Sequence, residues 1–251
     1  RERLDKILVE RRLVASREEG RGRILAGEVL VNDRPVTKAG TLLDESVAIR
    51  VKSALPYVSR GGIKLEKALR EFSVEVTDKV GLDVGASTGG FTHCLLTHGA
   101  MKVYAVDVGY GQLDWKLRND PRVVVLEKIN ARFLTRDQVQ EFVDICVIDV
   151  SFISLTLILP NAMALLKPDG VILALIKPQF EAGKAEADKG AGVITDAAVH
   201  ARVLRELEEF VGSGFRVQGS ENPKLETRNS ELKWLGGTES PLLGPAGNKE
   251  F

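Results

Sequence analysis

The chain has 251 residues, 44% hydrophobic and 28% charged, which leaves room for one large domain or two unequal ones and excludes a disordered or collagenous chain. Its longest apolar stretch, Val171 to Ile176, is far short of the ~20 residues that span a bilayer, no basic-then-apolar leader is visible, and two cysteines make no disulfide framework, so a cytoplasmic protein without a membrane partner is expected. The 35 basic and 35 acidic side chains cancel, but residues 1–70 hold 16 Lys+Arg against 10 Asp+Glu, so a basic module should precede an acidic body.

The spacing of Leu4, Ile7 and Leu8 predicts a helix in RLDKILVERRLV. Ser16 is a plausible N-cap for a second helix, with Glu19 three residues on as in a capping box, and this helix carries Arg17, Arg21 and Arg23 before ending near Gly27. Val29 to Val31 reads as a strand, Asn32 to Pro35 as a turn, and Val47 to Val51 as another strand. These elements predict a small basic domain over 1–52. A linker is expected over 53–59, where Pro56 breaks both periodicities. The main domain should fill 60–251, opening on a helix from Ile63 to Phe72.

From Val80 onward, apolar strands alternate with helical segments at Gly90 to His98, Asp114 to Arg118, Leu155 to Leu166 and Thr195 to Phe210. This alternation predicts a doubly wound α/β domain with a mostly parallel sheet, behind a small α+β domain. Glu221 to Gly237 fits no pattern. Because the chain opens on Arg1 and stops at Phe251, it is expected to be trimmed at both ends.

In such a sheet, ligands sit at the carboxyl ends of strands near the reversal of strand order. The first strand ends in Asp83-Val84-Gly85-Ala86-Ser87-Thr88-Gly89-Gly90-Phe91. Its glycines permit a tight turn into a helix N-terminus with free N–H groups. Asp107, closing the second strand, can bind a ribose diol. A dinucleotide would need G-x-G-x-x-G, which this run lacks. S-adenosylmethionine has no pyrophosphate to cradle and fits the looser turn, with Asp83 available to its ammonium. Asn130 and Asp149 fall along the same sheet edge, where one of them could read the adenine; Asn130 could equally cap a turn.

Asp149 closes an apolar strand, and such a carboxylate is costly unless paired or solvated in a cleft. Lys177 ends the next strand, so the two charges make either a structural ion pair or a reacting centre. Lys64 and Glu250 carry little signal alone. Cys94 and Cys146 lie inside predicted elements and do not suit a thiolate nucleophile. The end of the Asp149 strand lacks the proline pair common in base-amino methylation, and no His/Cys cluster has metal-ligand spacing, so no metal is expected. A lysine–carboxylate cleft suits a hydroxyl acceptor, whose proton must leave as the methyl group arrives.

SRGGIKLEKAL, GLDVGASTGGFT, VYAVDVGYGQL, VIDVSFISL, IKPQFEAG and SPLLGPAGNKEF resemble the haemolysin A (TlyA) family of RNA ribose methyltransferases. The N-terminal segment RLDKILVERRLVASREEGRGRILAGEVLVNDRPV resembles the RNA-binding module named after ribosomal protein S-four, and the catalytic half is similar to the FtsJ-type methyltransferases. The resemblance implies a Rossmann-like catalytic domain and a Lys-Asp-Lys-Glu tetrad that falls on Lys64, Asp149, Lys177 and Glu250. It implies S-adenosylmethionine as cofactor and ribosomal RNA, or a ribosomal subunit, as partner. Arg11, Arg12, Arg17, Arg21 and Arg23 are then candidates for phosphate contacts. A non-catalytic ribosome-assembly factor, or the membrane lysis behind the family name, is the alternative.

Overall fold

In the computed structural model, which describes residues 1–44, 46–52, 56–213 and 232–251, the chain divides between Leu55 and Pro56 into two units. Residues 53–55 of the expected linker and 221–231 of the unassigned stretch lie outside the described residues.

In the first unit, β1 (Glu2–Arg3) runs into α1 (Leu4–Glu10), which buries Leu4, Ile7 and Leu8 as their spacing requires. Ser16 caps α2 (Arg17–Leu25) by accepting the Glu19 N–H at 3.1 Å. The Glu19 carboxylate reaches back to the Ala15 N–H, one residue short of the position a capping box would use. Strand β2 (Val29–Val31) pairs antiparallel with β3 (Arg34–Pro35) across a turn in which Asn32 and Asp33 both adopt positive φ. Arg34 and Pro35, expected to lie within the turn, instead form the edge strand β3, where a proline's missing N–H costs nothing. Strand β4 (Leu42–Leu43) pairs with β1, and β5 (Ile49–Val51), shorter than expected, pairs with β2. Leu4, Leu8, Val14, Ile24, Val29 and Val31 form the core.

The second unit contains α3 (Gly61–Glu71), β6 (Val80–Val84), α4 (Gly90–Thr97), β7 (Lys102–Asp107), α5 (Trp115–Arg118) and β8 (Val123–Glu127). It continues through β9 (Val143–Ile148), α6 (Leu159–Ala164), β10 (Leu166–Ala174), α7 (Pro178–Glu181), α8 (Lys184–Lys189) and α9 (Ala197–Gly212). The five strands are all parallel, in the order β10-β9-β6-β7-β8. The chain starts at the central β6, winds outward through β7 and β8, and returns to β9 and β10 on the other side. Strand order therefore reverses between β6 and β9, which opens a crevice at their carboxyl ends. Leu82, Val106, Cys146 and Ile148 share one core with Leu159, Val203 and Leu207. Val103, Ala105, Ile145 and Val147 share the other with Leu65, Leu69 and Leu95.

In the second unit, three boundaries differ from expectation by more than two residues. The second unit begins at Pro56 rather than residue 60, because Tyr57 is buried and the Val58 N–H donates to His93 Nδ1 at 3.1 Å. The helix expected over Leu155 to Leu166 breaks into a 3-10 turn at Leu155–Leu157 and the short α6, while Leu166 already belongs to β10. Pro160 explains the break, since it fits a helix's first turn and not its middle. Lys177 does not end a strand: β10 stops at Ala174, and Lys177 occupies the N-cap of α7, just before Pro178.

Candidate active site

The turn after β6 leads into the switch-point crevice. Gly85 and Gly89 hold φ values of +87° and +93°, and a Cβ on Gly85 would collide with the carbonyl oxygen of Asp149. No side chain fits there, so the turn lies directly against the end of β9. Ser87 also adopts positive φ, the Thr88 carbonyl accepts the Asp114 N–H, and Gly90 opens α4. The side chain of Phe91, which closes the run, is buried in the core with Leu65 and Leu95.

Asp83, one residue before the end of β6, is fully buried. Its Oδ2 accepts the Thr92 N–H at 2.8 Å and the Thr92 hydroxyl at 2.7 Å, while Oδ1 has no hydrogen-bond partner among the described residues. Burial pushes its pKa up to about 7, and the nearby Asp149 and Asp107 carboxylates add to the rise against the two Thr92 bonds. A buried carboxylate with an unpartnered oxygen, close to two more carboxylates, suits a cationic ligand group. This fits the ammonium or sulfonium of S-adenosylmethionine better than it fits a pyrophosphate.

Asp107 ends β7. Its Oδ2 accepts the Ser87 N–H at 2.7 Å and its Oδ1 the Gly109 N–H at 2.6 Å. One carboxylate thus fixes the glycine turn and its own loop, with further lone pairs on both oxygens for a diol. Asn130 lies beyond β8, on a segment tied to Asp107 by the Ile129 N–H to Asp107 carbonyl bond at 3.0 Å. Its Oδ1 caps the 3-10 turn Ala131–Phe133 by accepting the Arg132 N–H, so its oxygen is engaged as a cap and its amide N–H groups remain for a ligand.

The four tetrad positions form two ion pairs. Lys177 Nζ lies 2.6 Å from Asp149 Oδ1 and donates to Ser151 Oγ at 3.0 Å. Lys64, on α3, donates to Glu250, a residue only 1% exposed. Neighbouring backbone joins the pairs. Ile176 and Phe251 exchange reciprocal N–H to carbonyl bonds at 2.7 and 3.0 Å, so Lys177 and Glu250 each lie one residue from the same short ladder. The Glu250 carbonyl also accepts the Ser240 N–H. Ser151 and Thr92 hold the site together and carry no signal in the sequence, because one hydroxyl in a loop or helix makes no pattern.

Cys94 and Cys146 are buried and unpaired, and burial raises both thiols, Cys94 to about 12. Neither is a poised thiolate. Among the described residues, no three His, Cys, Asp or Glu side chains cluster to hold a metal ion. A largely apolar cavity of about 410 Å³ runs beside β10, is lined in part by Lys64, Ile176 and Phe251, and takes only Phe91 from the run Asp83 to Phe91, so it is separate from the glycine turn.

The five candidate arginines of the first unit differ in their commitments. Arg11 donates to the Val47 carbonyl, and Arg23 to Glu19 and to the Lys52 carbonyl, so both tie the unit together. Arg12 is exposed in the left-handed region after α1. Arg17 and Arg21 both donate to Asp5.

An FtsJ-like methyltransferase model matches residues 57–238, and an S4 domain model matches residues 2–49. The Bacillus subtilis protein YqxC, named as a candidate rRNA methyltransferase, is 46% identical over all of this chain and 84% of its own length. The Mycobacterium tuberculosis 16S/23S rRNA (cytidine-2′-O)-methyltransferase TlyA is 43% identical over all of this chain and 88% of its own length. A solved structure from Streptococcus thermophilus, described as a candidate hemolysin, aligns at TM-score 0.69 and 40% identity over 99% of this chain and 86% of that one.

Proposed function

The chain belongs to the FtsJ-like methyltransferase family and carries an S4 domain, and we propose that it methylates a ribose 2′-hydroxyl of ribosomal RNA using S-adenosylmethionine. The observation that carries this reading is the pairing of Lys177 with Asp149 beside the glycine turn at the switch point. The names of the Bacillus and Mycobacterium relatives support ribosomal RNA as the substrate class, and that of the Mycobacterium relative supports the cytidine 2′-oxygen.

The bound cofactor supplies an electrophilic methyl group. In this reading, Asp83 faces the cofactor's cationic end and Asp107 its ribose hydroxyls, while Asn130 and Asp149 border the adenine side. The attacking hydroxyl must lose its proton as the new C–O bond forms. A lysine ammonium has three donors, and here two are directed to Asp149 and Ser151, which leaves one for the ribose oxygen. Lys177 thereby aligns the oxygen and, in its neutral form, accepts the proton. Such assistance is worth about 10²–10⁴-fold. Lys64, held by Glu250, helps to place the ribose or its phosphate. The S4 domain supplies RNA affinity without taking part in the chemistry. No helix among the described residues is long and apolar enough to cross a membrane, and action on ribosomal RNA in the cytoplasm follows from the same reading.

The test is transfer of tritiated methyl from S-adenosylmethionine to purified ribosomal subunits, followed by alkaline hydrolysis and nuclease mapping. A 2′-O-methylated nucleotide blocks strand cleavage, so the label should appear in alkali-resistant dinucleotides. Label recovered on a base, or no transfer to either subunit, would overturn the reading.

A further inference from the structure

Asp5 lies in the first turn of α1 and is completely buried, yet it is charged. Three arginines converge on it. Arg3 is bidentate, with Nε to Oδ1 at 3.0 Å and Nη2 to Oδ2 at 3.2 Å. Arg17 Nη2 reaches Oδ2 at 3.0 Å and Arg21 Nε reaches the same oxygen at 3.1 Å. These bonds, Arg3's foremost, hold the Asp5 carboxyl well below the usual carboxylate range despite its burial.

The cluster has more positive charge than burial requires. One bidentate arginine neutralises a buried carboxylate. Three leave it with a net charge of +2, and the arginine side chains remain 44%, 50% and 54% exposed. A guanidinium carries five N–H donors. Asp5 takes two from Arg3 and one each from Arg17 and Arg21, so most donors remain for another acceptor. Arg3 comes from β1, whereas Arg17 and Arg21 lie four apart on α2, so the fold rather than local sequence assembles the group. Three like charges at such close range repel, and each long side chain is flexible when free. The shared carboxylate removes both obstacles before any ligand arrives.

We propose that Asp5 is a positioning residue that builds Arg3, Arg17 and Arg21 into a preformed clamp for consecutive phosphates of an RNA backbone. The rigid, planar donor fork of arginine matches a phosphate, and a surplus of two charges matches two neighbouring phosphates. The inference rests on the reading of the chain as an RNA enzyme and adds to it the residue that organises phosphate binding.

The test measures binding of the full chain to 30S and 50S ribosomal subunits across a salt series, apart from methyl transfer. Asp5→Asn removes a negative charge. Charge alone would make this variant bind RNA more tightly, whereas a dismantled clamp makes it bind about tenfold more weakly at physiological salt. The slope of log affinity against log salt should also flatten by about 0.7–0.9 for each phosphate that is no longer neutralised. Arg17→Gln and Arg21→Gln leave Asp5 paired with Arg3, so they test the arginines themselves even if Asp5→Asn fails to fold. Each should lower affinity and flatten the slope by about the share of one phosphate. In the unmodified protein without RNA, ¹⁵N relaxation should find the Nε groups of Arg3 and Arg21 as rigid as backbone and that of Arg12 mobile. An Asp5→Asn chain that folds and binds as tightly as the parent or more tightly, arginine variants with unchanged affinity and slope, or mobile Arg3 and Arg21 side chains would each overturn the proposal. A chain that binds through this clamp but transfers no methyl group would instead overturn the catalytic reading alone.

Discussion

Replacing Glu250 with Ala strips Lys64 of its carboxylate partner in a place where water cannot substitute. The two side chains are 11% and 1% exposed. Breaking a buried pair from one side costs about 3–5 kcal/mol, because the remaining charge stays desolvated. Lys64 keeps slight access to solvent, so the low end, about 3 kcal/mol, applies. For a unit of this size, each kcal/mol moves Tm by about 2–4 °C, which gives a loss of about 6–12 °C. Removing both charges, as Lys64→Met with Glu250→Leu, leaves nothing unpaired and should return Tm to within about 4 °C of the parent. Calorimetry reads this cycle, and single-turnover methylation with saturating cofactor and subunits reads the chemistry. If the pair helps to place the ribose, the double variant is as stable as the parent and still slower by about 10² or more. A double variant with parental stability and more than half the parental rate would make the pair pure scaffold and remove Lys64 and Glu250 from the reacting centre. A single variant that melts with the parent would refute the burial argument itself.

Lys177→Ala removes the cation between Asp149 and Ser151 and should slow methyl transfer by about 10² or more, with cofactor and RNA affinity within a few-fold of the parent. Lys177→Arg should not restore the rate, since a guanidinium keeps its proton; an active arginine variant would make Lys177 an electrostatic positioner only. Asp107→Asn must turn an amide N–H₂ toward the Ser87 N–H or the Gly109 N–H, so calorimetry should show cofactor binding weaker by about 1.5–3 kcal/mol, roughly 10- to 150-fold. Unchanged affinity would put the ribose elsewhere. Asp83 titrates near 7 when folded and near ~3.9 when unfolded, so the proton it keeps favours the folded state at low pH, and that contribution is lost as pH rises from ~4 through about 7. Urea melts at pH 5 and pH 8 should therefore show a smaller drop for Asp83→Asn than for the parent, and equal drops would mean that Asp83 is ionised throughout.

Much of the chemistry is legible along the chain. The strand–glycine–helix turn at Asp83 to Gly90 and the carboxylate at Asp107 are local patterns, because the backbone geometry they encode spans only a few residues. A motif position does not say which way a side chain points, and the sheet's second core claims that of Phe91. The Asp149–Lys177 pair is legible, because both charges fall near the ends of neighbouring strands. The Lys64–Glu250 pair is not, because its members are separated by 186 positions and neither carries a local signal.

The sequence by itself determined the α/β alternation, the basic first unit and the residues able to do the chemistry, since periodicity and composition are properties of neighbours. It also carried the break at Pro160, had its missing N–H been weighed against the helical spacing around it. Only the tertiary structure decided what each charge meets. The reversal of strand order between β6 and β9 brings Gly85 against Asp149, and the Ile176–Phe251 ladder delivers Glu250 toward Lys64 beside the lysine of α7. In the first unit, folding of β1 and α2 around α1 turned an inconspicuous aspartate into the hub of three arginines. The physical reason is the same in each case: a buried charge must find a partner within hydrogen-bond reach, and chain connectivity alone does not specify which distant residue will be there.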